Sequence, residues 1–235
     1  MNLLLFSNST NAGEEYLSYA MPYIKSFLPA STEKGLFIPF AGISVGMDKY
    51  FAIVKSKFEV LNLEIQSIHT INNKVNSINE AGFIVVGGGN TFYLLKELQK
   101  LKLLEPIKEK VNSGIPYIGW SAGSNIACPT IMTTNDMPIV EPDNFNALDL
   151  IPFQINPHYT DYAIENHAGE TREMRIEEFI LINKNLYVVG LREGTLFKIE
   201  GKNITLLGQK KCRIFRYGQE PVEMGMDENF QFLMQ

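Results

Sequence analysis

At 235 residues with 45% hydrophobic side chains, the chain is long enough to bury one sizeable core, and we expect a single domain over residues 1–235. A formal net charge of -5 without any Lys/Arg run argues against nucleic acid as a partner. No apolar stretch approaches the roughly 20 residues of a membrane span, and residues 1–7 lack the length and basic lead of a signal peptide, so the expectation is a cytoplasmic protein with no membrane partner.

The first apolar run, residues 3–6, predicts a strand buried on both faces, closed by the polar segment Ser7-Asn8-Ser9-Thr10-Asn11. Residues 14–28 then read as a helix. Residues 36–40 predict a second strand, and 48–61 a helix with Tyr50, Phe51, Val54, Phe58 and Leu61 on one side. A third strand over 64–69 and a short helix over 74–80 follow. The fourth strand, 83–86, runs straight into Gly87-Gly88-Gly89-Asn90-Thr91. Residues 94–110 are helical with a break near Glu105-Pro106; 116–119 form a buried strand, and 122–127 open a helix. The stretch 129–152 carries four prolines and little periodicity, which predicts a long ordered loop, a kind that is often functional. A strand over 153–156 ends at Pro157-His158, 171–182 is an amphipathic helix, and the strand 186–191 ends at Arg192-Glu193-Gly194. Between 196 and 232, apolar and polar residues alternate between glycine turns, predicting antiparallel strands that close one edge. The whole alternation predicts an α/β fold: a mostly parallel, flavodoxin-like sheet flanked by helices, with a C-terminal antiparallel edge.

In open parallel sheets, ligands bind beyond the carboxyl ends of the strands, and chemistry-bearing residues collect there in this chain. Gly119-Trp120-Ser121-Ala122-Gly123 is a G-x-S-x-G at a strand-to-helix corner, where small neighbours let the serine hydroxyl stand exposed above the sheet. A Gly-rich turn without chemistry is the bland alternative. A serine needs a base, and imidazole is the usual one. Of three histidines, His69 follows a weak early strand and His167 lies in a polar stretch, so His158 is best placed. Two carboxylates compete to hold its tautomer: Asp136, in the long loop after the elbow, and Glu193, at a strand end. The spacing leaves both open.

For the developing oxyanion, the Ala122 amide follows the nucleophile, and the glycine run offers the amides of Gly88 and Gly89. A phosphate-binding turn is the competing reading of those glycines, but no Walker or dinucleotide fingerprint accompanies them. Nothing resembles a metal-ligand set, and no cofactor is expected. The glutamates Glu173, Glu177 and Glu178 read as a solvated helix face. Cys128 and Cys212 sit among apolar neighbours and read as buried free thiols of a reducing compartment.

Several segments in chain order resemble one known family: Leu4-Leu5-Phe6-Ser7-Asn8-Ser9-Thr10, Phe37-Ile38-Pro39-Phe40-Ala41-Gly42, Val85-Val86-Gly87-Gly88-Gly89-Asn90-Thr91-Phe92 and Tyr117-Ile118-Gly119-Trp120-Ser121-Ala122-Gly123. Thr133-Thr134-Asn135-Asp136-Met137-Pro138, Gln154-Ile155-Asn156-Pro157-His158 and Gly169-Glu170-Thr171-Arg172-Glu173 continue it. Together they resemble the peptidase E family of alpha-aspartyl dipeptidases over nearly the whole chain, weakening only after about Gly201. The resemblance implies a fold similar to class I glutamine amidotransferases and a serine hydrolase that acts on Asp-Xaa dipeptides. It implies Ser121 as nucleophile and His158 as base, and Asp136 matches the position long assigned as third member. The wider family, which includes cyanophycinase, has a glutamate at the place of Glu193. With the strand-end placement, that favours Glu193 as the orienter and leaves Asp136 to shape the site or bind the substrate amine. Aspartate specificity asks for a guanidinium, and Arg172 is the candidate, with Asn90 as a second substrate-binding residue. A plain surface pair of Arg172 with Glu170 or Glu173 is the alternative.

Two other functions compete. A general esterase of the α/β-hydrolase type has the order Ser121, Asp136, His158, but Ser121 and His158 are too close in sequence for the crossovers of that fold. A flavodoxin-like binding module would use Gly87-Gly88-Gly89 for a small ligand and Ser121 only as a hydrogen-bond donor. Apolar segments in the tail make a homodimer plausible.

Overall fold

Every second residue of the first strand faces the same way, and both faces are apolar. In β1 (Asn2–Phe6), Leu3 and Leu5 enter one core while Leu4 and Phe6 enter the other. The computed structural model describes residues 1–30, 34–162 and 169–235. Within them β2 (Lys34–Ile38), β3 (Glu64–Ser67), β4 (Phe83–Val86) and β5 (Pro116–Trp120) join β1 in parallel. β8 (Thr195–Glu200) and β9 (Asn203–Gly208) complete a seven-stranded sheet in the order β3-β2-β4-β5-β1-β8-β9. The last two are antiparallel additions beside β1.

Helices cover both faces of this sheet. α1 (Met21–Phe27) and α2 (Met47–Glu59) pack on one side, α2 burying Tyr50, Val54 and Phe58 at fourfold spacing. α3 (Lys74–Glu80), α4 (Thr91–Lys100) and α5 (Leu104–Asn112) pack on the other. Side-chain caps start two of these: Asn73 accepts from the Asn76 amide, and Asn90 from the Tyr93 amide.

Three expectations need correction. The helix expected from residue 14 starts only at Met21, because the preceding segment forms turns with Leu17 at φ +58°, a conformation no helix contains. The break in 94–110 falls at residues 101–103, where Lys102 has φ +54°, and Pro106 sits in the first turn of α5, where a missing N–H costs nothing. The tail closes one edge as expected, but only with part of its strands. Only β8 and β9 do so, whereas β10 (Cys212–Arg216) and β11 (Val222–Met224) join β7 (Tyr187–Arg192) and β6 (Gln154–Tyr159) in a separate sheet, order β11-β10-β7-β6. One face of this second sheet packs Ile155, Val189, Leu191 and Ile214 into the main core. The other carries Tyr159, Val188 and Phe215 beneath α7 (Arg172–Ile182). Period-two alternation marks a strand and its faces but not its partner.

The stretch 129–152 is an ordered loop, tied to the region after β5 by Leu148 N–H donating to Ile126 and Leu150 N–H to Ala127. Among the described residues, no helix is long and apolar enough to cross a membrane.

Cys128 and Cys212 are free and fully buried, and burial pushes each thiol up to about 12. The folded state therefore holds their protons more tightly than the unfolded chain. Their contribution is complete below the ordinary thiol range and is lost as pH rises toward about 12. At about pH 8, Ellman's reagent should titrate neither thiol in the native protein and both after denaturation; rapid reaction of the native protein would refute the burial.

Candidate functional site

Residues at the carboxyl ends of β1, β4 and β5 build one corner. Ser121 follows β5 with φ +54° and ψ -113°, outside the regions a residue with a Cβ ordinarily occupies. The motif's glycines explain how the corner closes. A Cβ at Gly123 would overlap the Val86 carbonyl, and one at Gly119 would overlap the Gly123 carbonyl. Hydrogen bonds then hold the turn: the Ser121 amide donates to Phe6 O (3.1 Å), Ser124 Oγ to Phe6 O (2.7 Å), and Tyr117 Oη to Gly123 O (2.6 Å). The helix that follows, α6 (Ala122–Asn125), is a single turn and shorter than expected.

His158 lies within β6, not after it, at a bulge between Pro157 and Tyr159 with φ +54°. Its Nδ1 is 2.7 Å from Glu193 Oε1, and its Nε2 is 2.9 Å from Ser121 Oγ. A carboxylate only accepts, so Nδ1 carries the hydrogen and Nε2 is left to accept from the serine hydroxyl. The His158 and Glu193 side chains are 39% and 50% exposed, so their pair adds at most about 1 kcal/mol of stability, and its consequence is orientation.

Asp136 lies elsewhere. Its Oδ2 accepts from the Thr91 amide (2.7 Å), Thr91 Oγ1 (2.6 Å) and Thr134 Oγ1 (3.0 Å), at the start of α4, and it has no bond to His158. Asn90 caps α4 with Oδ1 and donates one Nδ2 hydrogen to Met137 O (2.9 Å), which fixes its side chain. The amides of Gly88, Gly89 and Ala122 donate to no protein acceptor among the described residues. Ser121, His158, Gly88, Gly89, Asn90 and Asp136 all line one cleft of about 670 Å³, a size suited to a small ligand.

Arg172 does not line that cleft. It borders a second cavity of about 160 Å³, shared with Arg175 and with Asp136, which lines both spaces. Burial and neighbouring Arg175 lower its pKa, while Asp136 opposes them. Glu170 pairs with Arg175 and Glu173 with Arg213, so neither neighbour neutralises Arg172. The link to Arg213 also sets Glu173 apart from a merely solvated face. His69 is structural: its Nε2 meets Asp48 Oδ1 (2.9 Å) and its Nδ1 meets Ser67 Oγ (2.5 Å), a buried hydroxyl. His167 lies outside the described residues.

Residues 3–207 match Peptidase family S51. The chain belongs to that family. It is a serine-type peptidase. Peptidase E of Nostoc sp. strain PCC 7120 is 52% identical over 233 residues, covering 99% of this chain and 96% of that protein. Peptidase E of Salmonella paratyphi A is 44% identical over 230 residues, covering 98% and 100%. The crystal structure of a peptidase from an acI-B1 Actinobacterium has the same fold, with a TM-score of 0.71 at 17% identity over 97% of this chain and 96% of that one. Membership in S51 displaces both the general-esterase and the binding-module readings.

Two supporting residues escaped the sequence reading. Ser7 Oγ donates to Leu191 O (2.7 Å) and accepts from the His158 amide (2.9 Å), which clips the ends of β6 and β7 to β1. Asn8 Oδ1 accepts from the Gly194 amide (2.9 Å) and from Tyr19 Oη (2.7 Å), holding the turn that carries Glu193. The sequence shows only two polar residues directly after an apolar strand; that both are fully buried, and so must be hydrogen-bonded, is visible in the fold alone.

The geometry separates the two carboxylates by experiment. Glu193→Gln should lower kcat for the peptidase reaction by about a hundredfold or more with little change in melting temperature. Asp136→Ala should destabilise the fold by about 1–3 kcal/mol, seen as a lower melting temperature, because three donors lose their acceptor, and cost less in kcat. The reverse ranking in kcat would exclude Glu193 as the partner of His158.

Proposed function

We propose that the protein is a dipeptidase that removes an N-terminal aspartate from Asp-Xaa substrates, using Ser121, His158 and Glu193. The observation that carries this reading is the continuous chain from Ser121 Oγ through the His158 ring to Glu193, beside a cleft lined by Gly88 and Gly89, whose amides, like that of Ala122 after the serine, have no protein acceptor among the described residues. His158 Nε2 takes the hydroxyl proton as Ser121 Oγ attacks the scissile carbonyl, and Glu193 stabilises the imidazolium. The amides of Gly88, Gly89 and Ala122 receive the developing oxyanion. His158 then returns the proton to the leaving amine, and water releases aspartate from the acyl-enzyme by the same steps in reverse order of partners.

Specificity rests on two charges. Asp136, which lines the cleft, uses Oδ2 for its protein bonds, which leaves Oδ1 for the substrate's free ammonium. Arg172, behind Asp136 and without an acidic partner among the described residues, receives the side-chain carboxylate. The peptidase E names of the Nostoc and Salmonella relatives agree with this substrate class.

The test is a panel of Asp-Leu, Glu-Leu, Ala-Leu and N-acetyl-Asp-Leu. Asp-Leu alone should be hydrolysed, and Ser121→Ala should abolish the activity. Arg172→Ala should lower kcat/KM for Asp-Leu by about two orders of magnitude, chiefly through KM. Unchanged kinetics would remove Arg172 from the site, and cleavage of the acetylated peptide would remove the ammonium contact.

A further inference from the structure

Tyr50 lies on α2, distant in sequence from every residue of the catalytic chain, yet it lines the cleft and is 5% exposed. The surroundings are shaped to its ring. A Cβ on Gly42 or on Gly87 would run into it, and Phe37 meets it edge-on at 5.1 Å. Its oxygen accepts from Tyr16 Oη (3.1 Å) and from Trp120 Nε1 (3.0 Å), and its hydroxyl donates to Gly88 O (3.1 Å). That is the full capacity of a phenol, and two donors into the oxygen polarise the O–H toward the Gly88 carbonyl.

The consequence lies one atom further on. The described chain has no cis peptide, so the carbonyl of Gly88 and the N–H of Gly89 point in opposite directions from one plane. A carbonyl drawn to Tyr50 sends that N–H the other way. Gly88 itself abuts the Cβ of Ser121, and Gly89, at φ +135°, is pressed against the Ala41 carbonyl, which also accepts from the Asn90 amide (2.9 Å). The peptide plane is thereby fixed at both ends beside the nucleophile.

We propose that Tyr50 is a positioning residue of the peptidase reaction: its hydroxyl fixes the Gly88–Gly89 peptide so that the Gly89 N–H is aimed at the developing oxyanion. This rests on Ser121 being the nucleophile and on the glycine amides serving the oxyanion. Such a role acts on the transition state and leaves ground-state binding alone.

Tyr50→Phe keeps the ring and removes only the hydroxyl. We expect kcat for Asp-Leu to fall about ten- to a hundredfold, less than the roughly hundred- to thousandfold for outright loss of an oxyanion donor because the N–H is misaimed and not removed, with KM within about twofold of wild type. Affinity for the boronic-acid analogue of aspartate, which forms a tetrahedral adduct on the serine, should fall in parallel, while affinity for the product L-aspartate stays unchanged. Tyr16→Phe, which weakens the same hydroxyl without touching Gly88, should show a smaller loss of the same pattern and serves if Tyr50→Phe is too unstable to assay. Wild-type kcat in both variants, or equal losses of boronate and L-aspartate affinity, would overturn the proposal. Ser121→Ala assayed alongside separates the two failures: an active Ser121→Ala removes the nucleophile itself, whereas an inactive one beside fully active tyrosine variants removes only the role of Tyr50.

Discussion

Where β5 turns into α6, the backbone of Gly123 passes so close to the Val86 carbonyl that no side chain fits between them. This close approach ties β4, β5 and the following turn into one rigid corner and holds Ser121 at positive φ. A strained residue of that kind costs on the order of 1–3 kcal/mol and persists only where its surroundings over-determine it. Here the surroundings are the fully buried carboxyl end of β1, whose Phe6 carbonyl accepts from both Ser121 and Ser124, and the buried Tyr117 hydroxyl on Gly123.

The second strained residue depends on the same place. His158 sits at positive φ in a bulged strand of a different sheet, and the hydroxyl of Ser7, the residue after Phe6, takes its amide. Asn8 adds the turn after β7, and with it Glu193. Two adjacent polar residues at the end of β1 therefore bring together side chains that three separate strands carry. Because the His158–Glu193 pair is half open to water, it does little for stability. Its geometry matters through the tautomer it imposes on the imidazole.

Around this centre the acidic loop residue Asp136 performs a different task. Three donors converge on one of its oxygens at the first turn of α4, where the positive end of the helix favours a carboxylate. The loop is thereby fastened beside the cleft, with Asp136 lining both the cleft and the smaller cavity that Arg172 borders.

Much of this was legible along the chain. The unbroken apolar runs of β1, β4 and β5 required strands buried on both faces, and small residues around Ser121 required a sharp corner, since period and steric size are local properties. The placing of Glu193 after a late strand was legible for the same reason, whereas the bulge that puts His158 inside β6 was not. Three matters were decided only by tertiary structure. Alternation in the tail could not say that β8 would pair with β1 and β9 with β8 while β10 joined β7 and β11 joined β10, because the pattern fixes faces and not partners. The choice between Asp136 and Glu193 as neighbour of His158 turned on where the loop folds, which its sequence leaves free. The roles of Ser7, Asn8 and Tyr50 arise from contacts between residues distant in sequence, and such contacts exist only once the core has closed.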